Sequence, residues 1–268
     1  MAATMIPGPT GATRLFAIVG DPIAQVKAPS LLNPLFHQHG VDAVMVAVHT
    51  RPEHLARVIR GLQAMDNLDG MLLTIPHKFA ACEFADELSL AVQISGSTNA
   101  IRRSAGGRWE AENFDGLGFV RGVQRAGYLL AGVRVLLAGG GGAGSAIAVA
   151  LLQAGVCMLY LQEPDRDKAQ RLLTRLNQQW PGRATLAGPL ELASAQMVIN
   201  ATPLGLVEQD PLPIDVAALS AGTLVADIIM QPAQTRLLLA AQAAGHPVHP
   251  GVHMLSEQMV CYRDFFQF

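Results

Sequence analysis

Residues 135–144 read VLLAGGGGAG, an apolar run that breaks into four glycines, and residues 145–152 continue with serine, alanine, isoleucine, valine and leucine. An apolar run that stops at glycines and resumes at helical spacing predicts a strand, a tight turn and a helix. Gly139, Gly141 and Gly144 fit the pattern G-x-G-x-x-G. In this pattern the first glycine makes the turn, the second lets the backbone approach a pyrophosphate, and the third lets helix and strand pack closely.

The same stretch predicts a dinucleotide site. We expect the first helical turn, with Gly142 and Ala143, to bind phosphates through its N–H groups and the positive end of the helix dipole. A second apolar run, 156–161, leads to Glu163, and an acid there binds the hydroxyls of an adenosine ribose. Because a carboxylate repels the 2′-phosphate of NADP, we expect NAD to be preferred. NADP stays possible because Arg166, three residues after Glu163, can receive the 2′-phosphate. The alternative is an ordinary strand-to-helix turn.

Size and charge limit the classes of protein to which this chain can belong. The chain has 268 residues, half of them apolar, which suffices for one large or two modest domains. Its net charge is −2 and no cluster of lysine and arginine is present, so we do not expect nucleic-acid binding. We expect a small-molecule substrate and a monomer or homodimer.

Cysteine usage and hydropathy indicate a cytoplasmic protein. Cys82, Cys157 and Cys261 lie far apart without the CxxC spacing of zinc or redox sites, so we expect no metal and interpret them as buried in a reducing compartment. No apolar stretch reaches the roughly 20 residues of a membrane span, and residues 1–14 do not read as a signal peptide.

Strand and helix alternate along the chain, which predicts an α/β fold built from parallel βαβ units. The expected strands are 15–19, 43–49, 70–74, 133–138, 157–161, 196–200 and 223–227. The expected helices are 28–40, 52–61, 79–88, 116–127, 144–154, 166–179, 235–244 and 254–266. Two extended pieces, within 94–103 and 108–112, predict a hairpin around a Gly-Gly turn.

We expect two α/β domains with a cleft between them. Residues 1–120 with 245–268 are predicted to form the substrate-binding and catalytic domain, and residues 121–244 the Rossmann-type dinucleotide-binding domain. Because ligands of such sheets bind beyond the carboxyl ends of the strands, we expect substrate in the cleft.

A lysine and an aspartate follow predicted extended segments. Lys78 comes just after the strand 70–74, and Asp115 lies just after the piece 108–112. A lysine beside a carboxylate serves as a general acid/base, since the acid fixes the ammonium and a cleft lowers the lysine pKa toward the working pH. Taken singly, a lysine or an aspartate in a turn is far more often an exposed surface residue than a catalyst.

Six short motifs in order resemble those of the shikimate/quinate dehydrogenase family. The motifs are GDPI at 20–23 for Gly-Asn-Pro-Ile, LTIPHK at 73–78 for Val-Thr-x-Pro-x-Lys, GSTN at 96–99 for Gly-Ala-x-Asn, NFDGLG at 113–118 for Asn-Thr-Asp-Gly-x-Gly, INAT at 199–202, and ML followed by Gln258 for Met-Leu-x-x-Gln. The resemblance runs through most of the chain. It implies reversible hydride transfer between a nicotinamide and a ring hydroxyl of a cyclohexene or cyclohexane carboxylate.

The resemblance also implies roles for particular residues. Lys78 corresponds to the acid/base, and Asp115 to the residue that orients it and hydrogen-bonds the substrate. Asn99 and Gln258 would hold ring hydroxyls, and Thr74 would line the site. The family's nicotinamide-flanking loop matches a stretch that includes Asn200 and Thr202.

The chain departs from the family where the substrate carboxylate binds. The family uses a Ser-x-Ser just before a proline, and here Val26 and Ala28 occupy the two serine positions. Each lost hydrogen bond to a charged group is worth roughly 1.5–3 kcal/mol, so shikimate affinity should fall by about a hundredfold or more unless Lys27 or Gln25 compensates. The alternatives are a dehydrogenase for a different cyclic polyol and a non-catalytic ligand-binding regulatory protein.

Overall fold

Every strand in residues 8–268, the part of the chain that the computed structural model describes, belongs to one of two six-stranded sheets. The contacts within the chain divide it into two compact units. The first unit comprises residues 8–89, 97–112 and 259–268, and the second comprises residues 90–96 and 113–258.

The elements follow the alternation expected for an α/β protein. The strands are β1 (Arg14–Gly20), β2 (Ala43–His49), β3 (Leu68–Leu73), β4 (Glu87–Leu88), β5 (Ala100–Arg103), β6 (Trp109–Glu112), β7 (Arg134–Ala138), β8 (Met158–Gln162), β9 (Ala184–Leu186), β10 (Met197–Asn200), β11 (Leu224–Asp227) and β12 (Val248–Pro250). The α-helices are α1 (Ala28–Gln38), α2 (Leu55–Gln63), α3 (Leu90–Ser95), α4 (Phe114–Arg125), α5 (Gly142–Gln153), α6 (Arg166–Gln179), α7 (Pro189–Ser194), α8 (Arg236–Ala243) and α9 (Val252–Phe266). Short 3₁₀ helices span Pro52–His54, Ala80–Phe84 and Val216–Ala218.

The sheet of the first unit is mixed, with the strand order β2-β1-β3-β5-β6-β4. Strand β1 pairs in parallel with β2 and β3, whereas β5 runs antiparallel to β3 and β6. Its core is aromatic: the Phe16 ring stacks on Phe36 with centroids 5.2 Å apart and meets Phe266 edge-on at 5.1 Å. Gly70 in β3 makes room for this packing, because a Cβ there would collide with the Phe266 ring.

The sheet of the second unit is entirely parallel, with the strand order β12-β11-β10-β7-β8-β9. From β7 the chain adds β8 and β9 on one side and then β10, β11 and β12 on the other. The order therefore reverses between β7 and β10, and ligands of open α/β sheets bind at such a point, beyond the carboxyl ends of the strands. The turn after β7 is the glycine-rich stretch.

The α/β fold class and most of the expected elements are confirmed. The helix expected at 79–88 is wrong: Ala80–Phe84 is a 3₁₀ helix and Glu87–Leu88 is a strand. The reason is tertiary pairing, since the N–H of Asp86 donates to Trp109 O at 2.7 Å and the Asp86 carboxylate accepts from the N–H of Trp109. Strand β9, helix α7 and strand β12 were not expected, and Ile94, expected in an extended segment, lies in α3.

The limits of the two units differ from the predicted domain limits. Residues 113–120 and 245–258, predicted for the substrate domain, group with the second unit, as does the segment 90–96. The predicted limits concern separately folding domains and stay a prediction.

The expectation of three buried cysteines is correct only for Cys261. Cys82 is partly exposed and Cys157 is exposed, and all three carry free thiols. Cys157 immediately precedes β8, at the start of the strand rather than within its buried part. In the described residues, none of the helices has the length and apolar character that crossing a membrane requires.

Candidate active site

In the first unit, the turn after β3 carries Thr74 and Lys78. The N–H of Thr74 donates to Val19 O at 3.0 Å, and the carbonyl of Thr74 accepts the N–H of His77 at 2.8 Å. The half-buried Lys78 follows, and its carbonyl accepts the N–H of Thr98 at 2.8 Å. Two backbone segments therefore hold the turn, so Lys78 stands at the carboxyl end of a buried strand.

Asn99 is buried beside the same strand end. Its carbonyl accepts the N–H of Leu73 at 2.9 Å, and its side-chain amide donates to the Tyr262 hydroxyl at 3.2 Å. The first unit thus brings Thr74, Lys78 and Asn99 together around the end of β3. Tyr262 is a member of this cluster that the sequence analysis missed, because 163 residues separate it from Asn99.

Val26 and Ala28 lie where α1 begins. Ala28 is the buried first residue of the helix, Lys27 is its N-cap, and Val26 is half-buried. Both side chains end in methyl groups, so neither donates a hydrogen bond. The amide of Gln25, one of the groups expected to compensate, donates to the carbonyl of Pro22 at 2.8 Å.

In the second unit, Asp115 lies in the first turn of α4. Asn113 caps this helix, since its side-chain oxygen accepts the N–H of Asp115 at 3.0 Å. The amide of Gln258 in α9 donates to Asp115 Oδ1 at 2.8 Å, and both side chains are buried. Gly118 permits this approach, because a Cβ there would lie 2.8 Å from Gln258 Cγ. The buried carboxylate therefore has a fixed orientation.

The glycines after β7 have the geometry that a dinucleotide loop requires. Gly139 adopts φ +97°, and a Cβ on Gly144 would overlap with the carbonyl of Gly139, so both positions need glycine. Gly141, the N-cap of α5, has nothing within 4 Å of where a Cβ would lie. Gly142 and Ala143 begin the helix. The open space above Gly141, beside the positive end of the helix dipole, fits a pyrophosphate.

Glu163 lies against this loop. Its Oε2 accepts the N–H of Gly140 at 2.8 Å and pairs with the Lys168 ammonium at 2.8 Å, and its Oε1 accepts the N–H of Asp165. Burial raises the pKa of Glu163, but the hydrogen bonds from Lys168 and the two N–H groups outweigh burial and hold the pKa below its ordinary value. Glu163 is therefore a carboxylate at neutral pH, and its cationic partner is Lys168.

Asn200 and Thr202 form the turn after β10. The side-chain oxygen of Asn200 accepts both the N–H of Thr202 at 3.0 Å and its hydroxyl at 2.7 Å. This turn touches the glycine loop, since a Cβ on Gly139 would lie 2.8 Å from the carbonyl of Ala201.

A stacked histidine pair precedes Gln258 on the same polypeptide segment. The rings of His249 and His253 are 4.8 Å apart with an interplanar angle of 25°, and Phe119 meets His249 edge-on. His249 is buried, and its Nε2 has no hydrogen-bond partner among the described residues. Burial and the neighbouring His253 lower the pKa of His249 to about 4 from 6.5.

This pair makes stability depend on pH. The unfolded state binds a proton at His249 at a higher pH than the folded state does. The contribution of this group to the free energy of unfolding is therefore complete above pH 6.5 and is lost as the pH drops toward 4. We expect a loss of about 2–3 kcal/mol over this range that His249→Phe abolishes. Urea unfolding at several pH values measures it, with the exposed His37→Phe as control. An unchanged pH dependence in His249→Phe would contradict the assignment.

The parallel sheet, its switch point and the glycine turn define a Rossmann-type dinucleotide-binding enzyme. Residues 18–101 match the family model described as the shikimate dehydrogenase substrate binding domain. A shikimate dehydrogenase (NADP(+)) from Rhodospirillum rubrum is 34% identical over 259 residues, covering 93% of this chain and 90% of the relative. The chain therefore belongs to the shikimate dehydrogenase family, as its six motifs indicate.

Solved structures give the same assignment. Shikimate 5-dehydrogenase from Listeria monocytogenes, in complex with shikimate and NAD, has a TM-score of 0.84 and 26% identity, and the match covers 94% of this chain and 91% of that one. Ligand-free 5-ketofructose reductase of Gluconobacter has a TM-score of 0.82 and 27% identity, with coverage of 95% and 92%.

These relatives support a nicotinamide dinucleotide as coenzyme. They do not support the expected preference for NAD: the relative from Rhodospirillum rubrum is named for NADP(+), which favours NADP, although the structure from Listeria monocytogenes contains NAD.

Proposed function

We propose that this protein is an NAD(P)-dependent dehydrogenase that reversibly oxidises a ring hydroxyl of shikimate, quinate or a related alicyclic hydroxy acid. One observation carries the proposal: Lys78 stands half-buried at the carboxyl end of β3, on the turn that matches the lysine motif of the family. The glycine loop of the second unit supports it, because its open space at Gly141 suits a pyrophosphate.

The side chains divide the work of proton transfer and substrate binding. In the oxidation, Lys78 Nζ takes the hydroxyl proton as the carbonyl forms, and in the reduction it returns that proton to the oxygen. Asp115, whose carboxylate accepts the Gln258 amide, hydrogen-bonds the substrate. Asn99 and Gln258 bind ring hydroxyls, and Thr74 lines the site. A bound nicotinamide supplies the acceptor or donor of the hydride.

A second candidate substrate class lacks the carboxylate. Val26 and the buried Ala28 offer methyl groups where the family presents two hydroxyls, so a carboxylate would lose two donors there. A hydroxylated compound without a carboxylate has no such loss. The resemblance to the Gluconobacter 5-ketofructose reductase adds a relative whose name describes a keto-sugar.

A steady-state assay separates these candidates. Formation of reduced dinucleotide is measured with NAD and NADP against shikimate, quinate and a carboxylate-free cyclic polyol. Turnover of either acid supports the first proposal. Turnover of the polyol alone supports the second, and the absence of turnover with all three contradicts both.

We also propose that Glu163 disfavours the 2′-phosphate and so shifts the coenzyme ratio toward NAD. Its carboxylate is ionised and lies against Gly140. Glu163→Gln keeps an oxygen for the N–H of Gly140 but removes the charge. We expect it to raise kcat/KM for NADP relative to NAD by about fivefold or more, because the repulsion between two unit charges about 4 Å apart is worth ~1 kcal/mol even in bulk water.

The matched control for this prediction is Glu191→Gln. The Glu191 carboxylate also accepts a glycine N–H, that of Gly188 at 3.0 Å, but at the start of α7. Glu191→Gln should leave the ratio of the two kcat/KM values unchanged. If Glu163→Gln also leaves the ratio unchanged, Glu163 has no part in coenzyme choice.

A further inference from the structure

A series of four hydrogen-bonded polar side chains, the first three of them buried, runs from the start of α8 to the glycine loop. Its members, Thr235, Asp227, Asn200 and Thr202, are linked in that order by side-chain hydrogen bonds. We propose that Asp227 and Thr235 are positioning residues of the dinucleotide site, acting through Asn200 on the turn that abuts the glycine loop. This inference rests on the proposed function only in that the loop binds a dinucleotide.

The first link is the Asp227 carboxylate at the end of β11. Its Oδ2 accepts the Thr235 hydroxyl at 2.7 Å and the Asn200 amide at 3.2 Å, and its Oδ1 accepts the N–H of Ile229 at 2.9 Å. Asp227 is 1% exposed, and no cation pairs with it in residues 8–268. Burial raises its pKa, although the three hydrogen bonds lower it. The three hydrogen bonds offset the cost of burying this carboxylate without a cation.

The second link is the Asn200 side-chain amide. Its four hydrogen bonds form together in only one of the two orientations of the amide. Its NH₂ group donates to Asp227 and to the carbonyl of Leu204 at 3.0 Å, and its oxygen accepts twice from Thr202. The carboxylate accepts only from the NH₂ side, so it sets which way the amide faces. The amide in turn sets the conformation of the turn 200–204.

The third link is the packing of this turn on the glycine loop. The N–H of Ala201 donates to the carbonyl of Ala138 at 2.8 Å. A Cβ on Gly139 would lie 2.8 Å from the carbonyl of Ala201, and one on Gly144 would lie 3.3 Å from Ala201 Cβ. A displaced turn would therefore press directly on the first and third glycines of the loop.

Thr235→Val tests this series of hydrogen bonds, because valine has nearly the same side-chain shape as threonine. It removes the hydroxyl that donates to Asp227 and that caps α8 by accepting the N–H of Leu238 at 3.3 Å, whereas Thr235→Ser keeps a hydroxyl for both bonds. The control is Thr223→Val near the other end of β11, where a threonine that is 2% exposed donates to the carbonyls of Ala195 at 3.1 Å and Ser220 at 2.8 Å. Each valine variant thus loses the hydrogen bonds of one buried threonine hydroxyl, and the two hydroxyls lie near opposite ends of β11.

The measurement is the Kd for NADH and NADPH by fluorescence titration, with urea unfolding of each variant. We expect Thr235→Val to raise Kd by about tenfold, and Thr235→Ser and Thr223→Val to change it by less than about twofold, although both valine variants lower stability. Asp227→Asn should raise Kd at least as much as Thr235→Val, because an amide must turn its NH₂ group toward another donor at one of its two ends.

Two results would overturn the inference. An equal Kd for Thr235→Val and Thr223→Val, with both less stable, would reduce the polar chain to a structural role. If Asp227→Asn does not fold, the comparison of Thr235→Val with Thr223→Val alone decides between a positioning role and a purely structural role. Failure of the unaltered protein to bind either dinucleotide would overturn the proposed function, and this inference with it.

Discussion

Replacing Lys78 with alanine is expected to lower kcat by about a hundredfold to ten-thousandfold, the range typical of a lost general acid/base. The reason is that no other group then takes the hydroxyl proton as the carbonyl forms. Because we assign coenzyme binding to the glycine loop and not to Lys78, the Kd for the coenzyme should not change. Stopped-flow or steady-state turnover, with coenzyme binding measured separately, checks both parts.

Rescue by an added amine separates catalysis from folding. A small primary amine added to Lys78→Ala should restore part of the turnover. Full activity of Lys78→Ala would show that the lysine is not the acid/base.

Introducing serine at both positions 26 and 28 is expected to lower KM for shikimate by about a hundredfold or more, since each hydrogen bond to a carboxylate is worth roughly 1.5–3 kcal/mol. Val26 and Ala28 flank the N-cap of α1, and serine is smaller than valine and one heavy atom larger than alanine. The measurement is kcat and KM for shikimate in the double variant and in each single variant.

The matched ligand for this prediction is the methyl ester of shikimate, which has the same ring without the charge. Its KM should change little in the double variant. An equal gain for acid and ester would mean that the serines repack the wall without binding the carboxylate. No gain for either would mean that the carboxylate binds elsewhere or that the physiological substrate has none.

The sequence alone predicts an element correctly where the local signals and the packing favour the same structure. Helix α6 was predicted with the bounds observed, because Asp165 caps it and four buried apolar side chains recur at helical spacing. The glycine turn was predicted for the same reason, since its φ and close contacts are properties of glycine itself. Local chemistry specified these elements.

Elements that depend on distant partners were not predictable. Helix α3 ends where the Arg175 guanidinium of α6 donates to the carbonyls of Ile94 and Ser95, a contact across about 80 residues. Strands β9 and β12 have three residues each, too few to show a periodicity. In these places pairing with a neighbouring strand or helix decides the conformation.

In the candidate site too, some features could be predicted from the sequence and others depend on contacts between distant residues. The positions of Lys78, Asp115 and Glu163 relative to their strands followed from the spacing, and their roles stay predictions. The partner of Glu163 did not follow: the sequence offered Arg166 only as a group for the 2′-phosphate of NADP, and Lys168, two residues further, makes the ion pair. The contacts of Asn99 with Tyr262 and of Asn200 with Asp227 join residues far apart in sequence, so only the folded chain reveals them.

The most direct test of the central claim is the fate of the hydrogen on the oxidised carbon. Shikimate, quinate and the carboxylate-free polyol, each carrying deuterium on the carbon of the hydroxyl that is oxidised, are incubated with the protein and NAD or NADP. The reduced dinucleotide is then examined by mass spectrometry. We predict that deuterium appears on the nicotinamide ring with at least one of the three. Reduced dinucleotide without deuterium, or none with any of them, would contradict a hydride-transferring dehydrogenase.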